Sequence, residues 1–507
     1  MPDYKNLIEC VLKAIVPSPL ERRREQEIIS EIFNVIENLP QYEKFNLKPV
    51  LVGSIAKDTD LRMNKDVDLF IAFPDSVERK ILESEGLSIG KSVFEILGSS
   101  FEIDYAEHPY VKGIYKNYEI EIVPCYSVAS AAKIHSAVDR TPFHTSYVRR
   151  ALSKDPSLKN EIRILKKFMY AAGVYGAEIK VMGFSGYLVE LLVIYYGSFL
   201  NTLEAFSRWK FGSVIDIEHH WVKSDKDKQG TQKTVYMFPG DDIIVIDPVD
   251  ENRNVAAAVS RDALSRFMLR ARQFQKCPGA EFFFSEDEME HKFRAFDEGE
   301  TTGISEKFRV LKFPEEILRI FKIIRQRGTG VIIVKFVHPA MNENVLYSQL
   351  RKTHEIITRE IESYNFKILK SDFLSDENNL SVMVIEFEVW ELPRAKRVRG
   401  PRIDMSSKDQ LKFTEKYPGA YLEDGFWFAD TERKFKTAQE VVADIIKKKG
   451  GFGKGMKSED CVITAQQVES PGALTEIIRY IENCSYERKE EMRYAFMKFF
   501  VKFFIGV

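Results

Sequence analysis

The sequence predicts a multidomain protein of the α+β class, and three of its features do so. Its 507 residues suit three or four domains of about 100–200 residues each. Strand-like segments, marked by apolar alternation at every second residue, stand among helix-like ones: an early strand, helix and strand order suits a small mixed sheet, and helix, strand, helix and two strands follow beyond residue 313. Breaks at proline and glycine, the clearest at Cys277-Pro278-Gly279, divide the pattern. The divisions expected are 1–153, 154–277, 278–435 and 436–507.

Residues 4–15 and 21–38 read as helices separated by Pro17 and Pro19; in the second, Ile28, Ile29, Ile32, Phe33 and Ile36 recur at helical spacing. A short strand over 48–53 enters a Gly53-Ser54 turn, whose backbone N–H groups and hydroxyl suit a triphosphate. The next strand places Val67, Leu69 and Ile71 on one side, with Asp66, Asp68 and Phe70 on the other. Two carboxylates one pleat apart repel each other, and a hard divalent cation such as Mg2+ removes that cost. A helix is expected over 75–98, then a strand pair over 100–107 and 116–124 with a turn near Lys112-Gly113. In Tyr118-Glu119-Ile120-Glu121-Ile122 the acids alternate with apolar residues, and a strand beside the first would bring Glu121 towards Asp66 and Asp68. Three carboxylates on adjacent strands can hold two metal ions, one activating a hydroxyl and one holding a triphosphate.

Residues 135–148 read as a polar loop in which Thr141 and His144 can donate to phosphate. The amphipathic helix 157–172 directs Ile162, Leu165, Phe168 and Met169 inward, and Lys166 lies one residue from that stripe, able to snorkel to solvent or reach a triphosphate. Tyr175 offers a hydroxyl to phosphate, a ring to a base, or a core contact. A strand over 242–247 leads through Pro248 to Asp250, Arg253 and Asn254, a polar cluster expected at the head of a helix starting near Val255. There Arg253 offers a planar donor fork to a base or phosphate, or a salt bridge to Asp250.

Beyond residue 278, a helix (313–327), strand (330–337), helix (344–365) and two strands (366–373, 380–390) suit a small domain of the split βαβ type. The loop Pro393-Arg-Ala-Lys-Arg-Val-Arg-Gly-Pro-Arg402 is the densest cationic stretch, so Arg394, Lys396, Arg397, Arg399 and Arg402 are the RNA-contact candidates. A second basic stretch covers 447–457, and a Phe-rich amphipathic helix is expected over 492–507.

Composition narrows the class. Hydrophobic residues make up 44% and charged residues 30%, which suits a folded soluble chain. A net charge of -2 means that any RNA surface is a local basic patch. Cys10, Cys125, Cys277, Cys461 and Cys484 are scattered and odd in number, without a CxxC pair or a histidine cluster of zinc spacing. Thiols serving as small core residues in a reducing cytosol fit that usage. The start MPDYKNLIEC is no signal peptide. The longest apolar run, 186–200, contains Glu190 and is shorter than the ~20 residues of a membrane span, so it reads as a buried helix. A cytoplasmic protein with no membrane partner is expected.

Gly-Ser, a spacer, Asp-x-Asp and a later carboxylate resemble the DNA polymerase beta-like nucleotidyltransferase superfamily. Ile122-Val-Pro-Cys-Tyr126, Ala137-Val-Asp-Arg-Thr-Pro-Phe-His144, Tyr175-Gly-Ala-Glu178, Gly183-Phe-Ser-Gly-Tyr187 and Asp247-Pro-Val-Asp-Glu-Asn-Arg-Asn-Val-Ala256 narrow the resemblance to the archaeal, class I CCA-adding enzymes. The resemblance runs over most of the chain and is weaker after residue 280. Where that family usually has Asp as third carboxylate, this chain has Glu121. The resemblance implies a nucleotidyltransferase head, a helical central domain, a small α+β body and a helical tail, the last two touching RNA. It implies addition of C, C and A from CTP and ATP, with Mg2+, to tRNA lacking all or part of its 3′ CCA, without a nucleic-acid template, and a homodimer. By position, Asp66, Asp68 and Glu121 would hold metal, Ser54, Lys57, Thr141, His144, Lys166 and Tyr175 the triphosphate, and Arg253 the base. A poly(A) polymerase or oligoadenylate synthase-like transferase shares the metal site, and an inert RNA-binding protein can share the fold. An aminoglycoside-type nucleotidyltransferase has no need of the long basic C-terminal region.

Overall fold

The computed structural model describes residues 4–105, 107–222, 227–284, 326–449 and 461–466, together with 322, 323, 495, 499, 500 and 503. The chain forms two compact units, Met1–Glu300 and Thr301–Val507. No described helix is long and apolar enough to cross a membrane.

The first unit opens with α1 (Tyr4–Ile15), α2 (Pro19–Glu37) and α3 (Pro40–Phe45). Helix α2 starts two residues earlier than its apolar pattern, because Ser18 and Glu21 form a reciprocal cap and Pro19 occupies the first helical turn. Next come β1 (Lys48–Leu51), α4 (Gly53–Lys57), β2 (Asp66–Pro74), α5 (Arg79–Leu97), β3 (Phe101–Tyr105), β4 (Pro109–Tyr115) and β5 (Tyr118–Ser127). These strands make one sheet in the order β1-β2-β5-β4-β3, in which β2 and β5 run parallel and the other neighbours antiparallel. One face of the sheet is apolar: Val67, Leu69, Ile71, Ile120 and Ile122 pack with Ile28, Ile32 and Ile36 of α2 and Ile89 and Val93 of α5. That burial commits the opposite face, with Asp66, Asp68, Glu119 and Glu121, to the other side.

Three expectations need correction here. No turn forms at Lys112-Gly113; β4 runs straight through, and the chain reverses at Lys116 and Asn117, both in the left-handed region (φ 50° and 65°). Gly113 is small because a Cβ there would meet the Phe94 ring and the Ser100 carbonyl. The polar stretch 135–148 is not a loop, since α6 (Thr141–Lys154) begins within it, with Pro142 in its first turn where proline favours a helix. No helix starts near Val255. Instead β7 (Ile243–Asp247) pairs with β8 (Asp250–Asn254), and the Asn254 side chain accepts from the Val245 and Ala256 amides. The helix α11 (Arg261–Lys276) follows a Ser260 cap.

Between these lie α7 (Leu158–Ala171), α8 (Gly186–Tyr196), α9 (Phe199–Ser207), β6 (Ser213–Asp216) and α10 (Lys228–Met237), and β6 pairs in parallel with β7. A second core joins α7, α8, α9 and α11 through Ile162, Phe168, Leu192, Phe206 and Phe267, and Val11 and Ile15 of α1 belong to it. The apolar run 186–200 is therefore a buried helix, α8, capped by Ser185, and the start of α9.

The second unit contains β9 (Gly330–Val337), α12 (Glu343–Ser363), β10 (Lys367–Ser375), β11 (Leu380–Val389), β12 (Ala395–Arg402), α13 (Ser407–Lys416), β13 (Tyr421–Glu423), β14 (Phe426–Glu432), α14 (Ala438–Lys449) and β15 (Cys461–Gln466). The order β10-β11-β9-β15 is that of the split βαβ unit. The stretch expected as a basic loop is a strand, β12, of a separate β12-β14-β13 sheet. The helix expected over 313–327 lies largely outside the described residues, as do most of 447–457 and of 492–507. Of the cysteines, Cys125 is a buried core residue, whereas Cys10 and Cys277 are exposed.

Candidate active site

The parallel register sets Asp68 opposite Glu121 and Asp66 opposite Glu119 on the polar face of the first sheet. Burial and the charge of Asp66 push the Asp68 carboxyl up to about 6, against the opposing pull of Lys57 and Lys166. Burial, Asp68 and Glu119 push Glu121 up to about 7. Desolvation and Glu119 also raise Asp66. The Tyr110 hydroxyl stands 3.4 Å from both Glu121 Oε1 and Asp104 Oδ2. Gly53, at φ 72°, lies directly against Asp68, and a Cβ there would overlap the Asp68 carboxylate. As they stand, no three or more His, Cys, Asp or Glu side chains among the described residues come close enough together to hold a metal ion. The donor set nevertheless fits a hard divalent cation: the oxygens are all carboxylate, and their raised pKa values record repulsion and desolvation that a cation relieves.

Beside the carboxylates lies a buried cluster. Glu190 of α8 is fully buried and accepts from Lys57 Nζ at 2.6 Å, Thr59 Oγ1 at 2.7 Å and Lys166 Nζ at 3.0 Å. Lys166 also reaches the Thr59 carbonyl and hydroxyl at 3.2 and 3.1 Å. Lys166 is buried and does not snorkel to solvent. Ser54 stands in the first turn of α4, three residues before Lys57. Tyr175 bridges to Phe184, and its hydroxyl is 3.0 Å from the position of a Cβ on Gly186. Burial and Glu190 raise the Tyr175 phenol, which keeps it neutral.

A second cluster centres on Asp247 at the end of β7. This buried carboxylate accepts from His144 Nε2 and an Arg253 guanidinium nitrogen, both at 2.8 Å, and from the Tyr187 hydroxyl at 3.1 Å. His144 stacks on Tyr187 with ring centroids 3.9 Å apart, and burial lowers its pKa despite Asp247. Arg253 pairs with Asp247, while Asp250 pairs with Arg140 at 3.0 Å. A cavity of about 510 Å³ opens here, lined by Arg140, Ser185, Phe238, Asp250, Asn252 and Arg253 among others. Arg140 Nε is buried there without a hydrogen-bond partner among the described residues. Thr141 begins α6, one turn before His144.

In the second unit, Arg397 lies over the Phe428 ring at 4.5 Å and pairs with Glu423 and the Tyr421 hydroxyl. Arg399 lies over Phe426 at 3.6 Å. Arg402 pairs with Asp404, Arg394 with Glu432 at 3.7 Å, and Lys396 is exposed.

Sequence reasoning did not single out Thr59, Asp247 or Arg140 as site residues. Glu190 carried a signal, as the one charged side chain in an apolar run, but it served only to argue against a membrane span.

Known families match along the chain. The nucleotidyltransferase domain matches residues 32–144, the second domain of tRNA nucleotidyltransferase 160–284, and the C-terminal domain of the CCA-adding enzyme 327–463. The CCA-adding enzyme of Archaeoglobus fulgidus is 35% identical over 440 residues, covering 86% of this chain and 88% of the relative. That of Methanothermobacter thermautotrophicus is 33% identical over 446 residues, covering 88% of each. That of Pyrococcus abyssi is 32% identical over 463 residues, covering 91% of this chain and 94% of the relative. With three domain matches in sequence and this identity sustained over most of its length, the chain belongs to the family of the CCA-adding enzymes, the tRNA nucleotidyltransferases that these archaeal proteins represent.

Proposed function

We propose that the chain adds C, C and A, taken from CTP and ATP, to the 3′ end of tRNA that lacks all or part of its CCA, and releases pyrophosphate. The observation that carries this reading is the placement of Asp68 and Glu121 in register, beside two buried lysines, within a chain of this family. In the transfer the terminal ribose hydroxyl bonds to the α-phosphorus of the nucleotide, and the bond from that phosphorus to the pyrophosphate oxygen breaks. Asp66, Asp68 and Glu121 would hold Mg2+, which when bound supplies positive charge to the triphosphate and acidity to the attacking hydroxyl. Ser54, Lys57, Thr141, His144, Lys166 and Tyr175 hold the triphosphate. Arg253, presented beside the cavity by Asp247, reads the base. Cytosine and adenine both present an amino donor beside a ring-nitrogen acceptor that a guanidinium serves. Uracil and guanine present a carbonyl in place of that amino group, and a polar pocket rejects such mismatches strongly.

We assign 1–153 to the catalytic domain, 154–277 to the nucleotide-binding domain, and 278–435 and 436–507 to RNA contacts. Arg394, Lys396, Arg397, Arg399 and Arg402 supply the phosphate-binding cations of a cytosolic enzyme that works as a homodimer. The test is incubation of tRNA lacking its 3′ end with Mg2+ and each nucleotide alone, then CTP and ATP together. CTP alone is expected to add two residues, and both together three. Arg253→Ala is expected to lower addition of C and A about tenfold or more and to admit UTP and GTP, and Arg253→Lys not to restore selectivity fully. Long A tails without C would replace this reading with a poly(A) polymerase; unchanged selectivity in Arg253→Ala would make Arg253 structural.

A further inference from the structure

Helix α8 is apolar and buried around Glu190: Leu188, Val189, Leu191, Leu192 and Val193 are all fully buried. A carboxylate in such a helix carries a large desolvation cost unless it is paired, and an apolar residue of similar size is often neutral or better for stability. Glu190 is paired twice over. Lys57, at the end of α4, donates to Oε2 at 2.6 Å, and Lys166, in the middle of α7, donates to Oε1 at 3.0 Å. Thr59 completes the set, donating to Oε1 and accepting from Lys166. Burial alone would raise the Glu190 carboxyl, but the two lysines outweigh it and hold it down at about 2, so it stays ionised.

The stoichiometry is informative. A stabilising buried ion pair needs one cation for one anion, whereas here two ammonium groups share one carboxylate. The cluster keeps an excess positive charge next to Asp68, where both lysines pull against the rise that burial and Asp66 impose on its carboxyl. The partners also come from both halves of the first unit. Lys57 and Thr59 belong to the segment matching the nucleotidyltransferase domain, and Lys166 and Glu190 to the segment matching the second domain.

We infer that Glu190 is a positioning residue for the triphosphate: it fixes Lys57 and Lys166 side by side across the two domains, so that their surplus charge meets the phosphates of the incoming nucleotide. This rests on the assignment of those lysines to the triphosphate. Both Glu190 oxygens are taken up by Lys57, Thr59 and Lys166, so it acts through them. Without its charge Lys166 keeps only its contacts to the Thr59 carbonyl and hydroxyl, Lys57 loses its ion pair, and no shared anion holds the two ammonium groups side by side.

The experiment compares full-length wild type with Glu190→Gln, Glu190→Asp, Lys166→Ala and Leu192→Ala. Leu192→Ala is the control, because it weakens the same helix without touching the ion cluster. Equilibrium affinities for CTP and for CMP are measured without tRNA, so no turnover occurs, alongside thermal melts and the KM and kcat of C addition. Glu190→Gln is expected to weaken CTP binding about tenfold, the worth of one charge-assisted hydrogen bond, with CMP binding unchanged. Its KM for CTP should rise more than its kcat falls, and Glu190→Asp should fall between. Equal loss for CTP and CMP, in the proportion that Leu192→Ala shows, would overturn the inference and leave Glu190 structural. If Glu190→Gln does not fold, Glu190→Asp decides on the same CTP-to-CMP ratio. Lys166→Ala separates the two levels of argument. Unchanged CTP affinity there removes the triphosphate assignment and this inference with it, whereas weakened CTP affinity there with none in Glu190→Gln removes this inference alone.

Discussion

At the scale of single residues, the Asp68 and Glu121 carboxyls are held in an unfavourable charge state by the fold itself. Their folded pKa values, about 6 and about 7, lie above the ordinary carboxylate values, so the ionised forms cost stability. For Asp68 that cost is absent below its ordinary pKa of 3.8, grows as pH rises, and is complete above about 6. Without divalent cation, Asp68→Asn is therefore expected to be more stable than wild type at pH 7.5, by about 3 kcal/mol at the roughly 1.4 kcal/mol of each pKa unit, or on the order of 10 °C in melting temperature. The difference should shrink as pH falls through 6 and vanish near 4. Added Mg2+ should reverse the order, because a cation bound to the folded state alone stabilises it. Thermal melts in a chelator and in Mg2+ at several pH values check this, and an Asn variant less stable than wild type at pH 7.5 in chelator would refute the repulsion argument. Asp66, Asp68 and Glu121 were legible because alternation on a strand announces which residues share a face. Asp247 and Thr59 were not, because a buried acceptor is recognised by what donates to it, and His144, Tyr187 and Arg253 come from separate elements.

At the scale of elements, the turn from β1 into α4 fixes where Asp68 can sit. Gly53 holds φ 72°, and the face where a Cβ would stand is occupied by the Asp68 carboxylate. Gly53→Ala thus meets both a backbone penalty of about 1–2 kcal/mol and a collision that displaces Asp68. Turnover is expected to fall on the order of a hundredfold, as small displacements of reacting groups do, while tRNA affinity stays near wild type. Single-turnover rates and tRNA binding of the Ala variant decide it; a wild-type rate would mean that Asp68 does not need its present position. The long periodic elements α1, α2, α5, α7 and β2 could be read from apolar spacing. The errors fell where one residue type has two uses. Gly113 reads as a turn but makes room for Phe94, the polar stretch around Pro142 reads as a loop but starts α6, and the polar run 250–254 reads as a helix head but pairs as β8. Local signals specify a glycine or a proline without specifying which steric reason placed it there.

At the scale of the whole molecule, the carboxylate face of the first sheet and the cationic strand lie in different compact units, so substitutions in the two should act separately. The charge of the chain is near balance at -2, so attraction to tRNA has to come from local surfaces. On β12, however, the cations are not equivalent. Arg397 and Arg402 already pair with Glu423 and Asp404, and exchanging a carboxylate for a phosphate gains less than acquiring a first anionic partner. Arg399 lies over the Phe426 ring and pairs with no carboxylate among the described residues, and Lys396 is exposed. The prediction is that Lys396→Ala with Arg399→Ala weakens tRNA binding and lowers the slope of log affinity against log salt by about 1–2, roughly one for each phosphate no longer neutralised. Arg397→Ala with Arg402→Ala should change the slope less, because arginines already paired with Glu423 and Asp404 neutralise less phosphate. In both double variants CTP affinity without tRNA should match wild type, since the lysines, Asp247 and Arg253 belong to the first unit. Titrations of tRNA at a series of salt concentrations, with CTP binding measured in parallel, provide the test. An unchanged slope in both would move the phosphate-binding surface off β12, and a loss of CTP affinity would show that the two units do not act separately.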